Sequence, residues 1–154
     1  MPTYQLVAYC WDDQIGKKIR KVTNSGISHV TIRVTPYCGY SRELYVTPQS
    51  RSDAWVLSKA VRKLNGPEVW SSKHIKLYHH QVEWIKGRAR DWERRQPGSV
   101  TQCWLYHYVG KHLGLPVPEC CTNLCSSVLN YLGVPVKEKF YPNALVSEYL
   151  RETC

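Results

Sequence analysis

About halfway along this chain the hydrophobic period changes from two to about 3.6, and that switch constrains the fold more than any other feature. Before His80, Ser28–Thr35 alternates strictly: Val30, Ile32 and Val34 share one face, and His29, Thr31 and Arg33 the other. That is the pattern of a half-buried strand. Tyr4–Cys10 reads as a short buried strand, and Glu43–Thr47, Ala54–Lys59 and His74–Tyr78 as further short strands between turn-rich stretches. One helix intervenes over Gln14–Thr23, where Ile15, Ile19 and Val22 fall on one face and Asn24-Ser25-Gly26 ends the run. After His80, Val82, Ile85, Ala89 and Trp92 recur at helical spacing up to Gln96-Pro97-Gly98. Helices are then expected at Thr101–Leu113, Cys121–Leu132 and Asn143–Arg151, the first two stopped by Gly114 and Gly133. Strands first and helices after, with no βαβ alternation, predict an α+β fold with a small antiparallel sheet.

The 154 residues fit one domain that can bury a core without metal or disulfide. No apolar run approaches the ~20 residues of a membrane span, and Met1–Gln5 lacks the basic and apolar segments of a secretory signal. A cytoplasmic location, in a host cell or a virion, is therefore expected. Seven cysteines, two of them adjacent at Cys120-Cys121, fit reduced thiols better than a disulfide framework. The net charge of +9 favours an acidic partner. The basic residues are spread along the chain, as on solvated faces, which argues against a nucleic-acid track.

Chemistry concentrates at Pro118–Gly133. Leu124, Val128, Leu129 and Leu132 form an apolar stripe on the expected helix, and Cys121 falls at its first turn. Unpaired N–H groups and the positive end of the helix dipole there favour a thiolate, so a lowered thiol pKa is expected. The same N–H groups suit a developing oxyanion. A thiol nucleophile needs a base, and among six histidines His29 is the best placed, at the start of the alternating strand. Cys120 competes with Cys121, since one residue of register decides which thiol faces His29. The i,i+4 pairs Cys103/His107 and Cys121/Cys125 admit a zinc reading, but the short Cys-x-x-Cys knuckle is absent. No metal or other cofactor is expected.

Three segments then appear in a meaningful order: Ile27-Ser28-His29-Val30-Thr31-Ile32, Cys121-Thr122-Asn123-Leu124 and Tyr141-Pro142-Asn143-Ala144-Leu145. In this order the chain resembles the circularly permuted papain-like cysteine hydrolases. These include the NlpC-type peptidases and lecithin:retinol-acyltransferase-like enzymes, and small bacteriophage members are the nearest in pattern. The resemblance covers about Leu6 to Leu150. It implies one permuted papain-like domain over residues 1–154, with Cys121 as nucleophile and His29 as base. Where such members carry a Glu two residues after the cysteine, this chain has Asn123. The third polar group, which orients the imidazole, is open among Glu43, Ser58 and His74, with Glu43 named first for the role.

The implied activity is a peptidase or amidase acting through an acyl-enzyme on a peptide or other acyl substrate. Thr31 and Arg33, on the strand face of His29, are expected to line the substrate site. The Arg33 fork would favour an acidic acyl substrate. A catalytically inactive module of a viral particle, and a basic nucleic-acid binder, are the alternatives of other classes.

Overall fold

The computed structural model describes residues 1–10, 14–37, 39–45, 54–65, 67–94 and 100–154. Strand β1 (Thr3–Tyr9) is followed by helix α1 (Gln14–Thr23), then by strands β2 (His29–Tyr37), β3 (Tyr40–Leu44) and β4 (Trp55–Leu57). Helix α2 (Ser58–Asn65) leads to the short strands β5 (Glu68–Ser71) and β6 (Ile75–Lys76). Four helices complete the chain: α3 (His79–Arg94), α4 (Val100–Tyr108), α5 (Cys121–Tyr131) and α6 (Pro142–Thr153). The fold is α+β with a small antiparallel sheet and several helices.

The sheet runs β4-β3-β2-β1-β5, with β6 also on β1, and the pairings are antiparallel. Its centre is the β1–β2 pair, in register from Thr3↔Thr35 to Tyr9↔His29. That register assigns the faces. Tyr4, Leu6 and Ala8 lie opposite Val34, Ile32 and Val30, all buried. Leu124, Cys125, Val128 and Leu129 of α5 join these residues in one core, together with Val82, Ile85, Ala89 and Trp92 of α3 and Leu145, Val146 and Tyr149 of α6. The 3.6-residue periodicities of the C-terminal helices thus cover one face of the sheet. Burying each such Leu or Val side chain contributes about 1.5–3 kcal/mol.

The opposite face holds a smaller cluster of Val7, Tyr9, Tyr45 and Val61, the last contributed by α2. Beside it lies a buried polar network. The fully buried Glu43 accepts hydrogen bonds from the Tyr9 hydroxyl at 2.6 Å, the Thr31 hydroxyl at 2.5 Å and Arg33 Nε at 3.2 Å. Arg33 Nη2 reaches Glu68 Oε2 at 2.6 Å. Burial opposes the Arg33 charge, but Glu68 and Glu43 more than offset it and raise its pKa.

Local chemistry places the helix that matters most. Cys120, in extended conformation, is the residue before α5. At the other end Gly133 takes φ +90, where a Cβ would be strained. The Val134 N–H bonds to Leu129 O at 2.9 Å and the Gly133 N–H to Asn130 O at 3.1 Å, a Schellman motif that satisfies the last carbonyls.

The expected elements at Tyr4–Cys10, Gln14–Thr23, Ser28–Thr35, Cys121–Leu132 and Asn143–Arg151 recur within one or two residues at each end. Ala54–Lys59 does not hold as one strand: it is three strand residues running into α2. Thr101–Leu113 ends early, with α4 followed by a 3-10 turn at Gly110–His112. The Gln96-Pro97-Gly98 stop and residues 46 and 47 of the Glu43–Thr47 strand lie outside the described residues.

Candidate active site

Cys121 is the first residue of α5 and His29 the first of β2. Both line one cavity of about 120 Å³. Its walls come from Ile15, Ile19 and Val22 on α1, Cys103, Trp104 and His107 on α4, and the Phe140–Pro142 stretch that leads into α6. The apolar face of α1 is therefore turned toward the thiol and not into the main core.

The Cys121 thiol contacts the Thr122 hydroxyl at 3.9 Å, and the backbone N–H groups of Val30 and of its own helix start act to favour its anion. Cys120 lines the same cavity, its thiol donating to Lys139 O at 3.4 Å.

Two expectations about this pair are corrected. The helix start does not leave Cys121 with a lowered pKa: burial raises it, and the surrounding N–H groups only partly compensate. The ring of His29 does not stand on the face that the thiol-bearing helix covers. It is 3% exposed and lies on the face opposite the one α5 covers, edge-on to Tyr45 with ring centroids 5.8 Å apart and 6.5 Å from the Tyr9 ring. Burial lowers its pKa to about 3. At neutral pH the site therefore holds a protonated thiol and a neutral imidazole.

The residues expected around the pair separate from it. Thr31 and Arg33, expected to line the substrate site, are buried, are not among the cavity's lining residues and bond to Glu43. The Arg33 charge is spent on Glu43 and Glu68. Glu43, expected as the orienting group, has both oxygens engaged by Tyr9, Thr31 and Arg33. His74 bonds the Thr3 hydroxyl at 2.8 Å, at the end of β1 remote from Tyr9 and His29. Ser58 is buried at the start of α2. Among the described residues no group of three or more metal-ligating side chains could hold a metal ion. The Cys103/His107 pair instead turns into the cavity.

One polar group was missed. His107 Nδ1 is 2.6 Å from the Tyr141 hydroxyl, which also accepts from Lys111 Nζ at 2.9 Å. His107 and Tyr141 both line the cavity. The four-residue spacing of Cys103 and His107 was the available signal, since it puts both on one helix face.

No protein-family model matches the chain, and no curated protein or solved structure matches it. No described helix is long and apolar enough to cross a membrane.

Proposed function

We propose that this protein is a cysteine-nucleophile hydrolase of permuted papain-like fold, cleaving an amide or ester bond through an acyl-enzyme. The observation that carries the reading is the convergence of Cys121, the first residue of α5, and His29, the first of β2, on one cavity. With thiol and imidazole both neutral at rest, His29 acts as general base as the reaction proceeds. Its ring turns from the Tyr9–Tyr45 side toward the shared cavity and takes the thiol proton while sulfur attacks the carbonyl carbon. The tetrahedral oxyanion then accepts from N–H groups at the start of α5. Collapse forms the S–acyl bond as the leaving amine or alcohol departs with the proton from His29. Water, deprotonated by the same imidazole, releases the acid and restores the thiol.

The test is a panel of peptide amides and activated esters with the wild-type protein, Cys121→Ala and His29→Ala. Wild-type turnover with a trapped acyl adduct on Cys121, abolished in both variants, supports the proposal. Absence of turnover across the panel, or turnover that survives Cys121→Ala, rejects it.

A further inference from the structure

A second, open cavity of about 490 Å³ adjoins the first, and Phe140 and Tyr141 belong to the walls of both. Its lining differs in kind. Lys111 comes from the 3-10 turn after α4, Lys137 and Lys139 from the segment between α5 and α6, and Arg151 from the last turn of α6. Two carboxylates, Glu138 and Glu148, share the cavity, leaving four cations against two anions.

Both carboxylates are committed to the backbone. Glu148 accepts the Lys137 N–H at 2.8 and 2.9 Å through its two oxygens, and the Glu138 N–H at 2.8 Å. Glu138 accepts the N–H groups of Phe140 and Tyr141, each at 3.0 Å. They hold the segment in shape and leave the cations alone: none of the four pairs with a described carboxylate. Lys111 gives one of its three donors to the Tyr141 hydroxyl and lies 5.3 Å from the centre of that ring. Four cations converge on a concave site without an anion of their own, which favours an anionic ligand.

The first cavity is apolar, and Glu119 is the one acid or base other than histidine and cysteine among its described lining residues. A substrate reaching Cys121 past Phe140 and Tyr141 would lie across both cavities. We infer that the cationic cavity is the binding site for an acidic peptide segment of the substrate, carrying two or more carboxylates, whose acyl group enters the apolar cavity beside Cys121. This rests on the hydrolase reading for the identity of the substrate, but not for the binding itself. Lysines act as point charges without the planar selectivity of a guanidinium. The spacing of several carboxylates, and not the geometry of one, then sets the preference.

The experiment separates binding from turnover. A fluorescein-labelled peptide of alternating Glu and Leu, and its Gln counterpart, are titrated by anisotropy against Cys121→Ala and, in parallel, wild-type protein with its thiols alkylated. The Glu peptide is expected to bind about tenfold more tightly at ~0.01 M salt, and the advantage to vanish near 1 M. Lys137→Glu with Lys139→Glu should abolish it. Arg62→Glu with Lys63→Glu, an equal charge change on the exposed side of α2, should leave most of it. Equal binding of the two peptides, or equal loss in the two double variants, overturns the inference. So does a single-stranded oligonucleotide that displaces the Glu peptide at lower concentration than unlabelled Glu peptide does. Retained peptide selectivity with no hydrolysis of any substrate would sink the hydrolase reading and leave this one standing.

Discussion

Glu43→Gln separates a structural carboxylate from one that serves catalysis. In the native protein Glu43 Oε1 accepts from Tyr9 and Thr31, and Oε2 accepts from Arg33 Nε at 3.2 Å, all in a buried setting. A glutamine carbonyl can still receive the two hydroxyls. Its amide nitrogen then faces Arg33, a donor against a donor, and the ion pair is gone. Breaking a buried pair by removing one partner costs about 3–5 kcal/mol. Glu68, 2.6 Å from Nη2, continues to neutralise Arg33, so the lower end applies, about 3 kcal/mol. With a urea slope of about 2 kcal/mol/M, the unfolding midpoint should fall by ~1.5 M. Rates on an activated ester, measured well below that midpoint, should stay within about threefold of wild type. A variant with an unchanged midpoint and turnover reduced a hundredfold would refute the reasoning and return Glu43 to the role of orienting His29.

Other outcomes follow from the same geometry. His29→Ala should slow hydrolysis by about 10²–10⁴-fold, as loss of a general base does, while the protein stays folded; an unchanged rate excludes His29 as base. At pH 6–8 iodoacetamide should label exposed Cys154 faster than Cys121, because burial raises the Cys121 pKa, and peptide mapping that found the reverse would indicate a resting thiolate–imidazolium pair. Leu129→Ala, at a fully buried position of α5, should cost about 2–5 kcal/mol in denaturant unfolding, and a smaller loss would mean that α5 is not anchored as described.

What the sequence made legible depends on how much of each element is fixed by its own periodicity. The α5 segment announces itself: a stripe of Leu124, Val128 and Leu129, and a Gly133 that adopts positive φ. The α1 helix was equally plain, but its partner was not, because periodicity says which face is apolar and not which surface covers it. Its Ile15, Ile19 and Val22 line the Cys121 cavity. Helix α2 was missed because Val61 is its one described side chain in either buried cluster, while Lys59, Arg62 and Lys63 are exposed. Strand β5 was missed for a related reason, since four residues with Val69 half exposed carry no readable alternation. At the site, strict alternation put His29, Thr31 and Arg33 on one face correctly. It could not show that the face is itself covered. Burial ties Arg33 into an ion-pair network with Glu43 and Glu68 that the alternation alone does not reveal.

The last prediction is a matter of proton linkage and bears on whether His29 is held neutral. Burial lowers its pKa to about 3, against about 6.5 in an unfolded chain. Between these values the unfolded state binds a proton that the native state refuses, so stability must fall as the pH drops from about 6.5 toward 3. The slope from this one group approaches 1.4 kcal/mol per pH unit once the pH is well below 6.5. Carboxylates titrate in the lower part of that range too, so the quantity to measure is the difference between wild type and His29→Gln. Unfolding free energies from urea curves at pH 7, 6, 5 and 4 should show the wild type losing stability faster than the variant, by close to one proton's worth between pH 5.5 and 4. Above pH 7 the two should run parallel. If the curves stay parallel down to pH 4, His29 takes up its proton in the folded protein as readily as in the unfolded one. It would then enter the reaction as an imidazolium below neutrality, and the sequence of proton transfers that starts from a neutral ring would have to be abandoned.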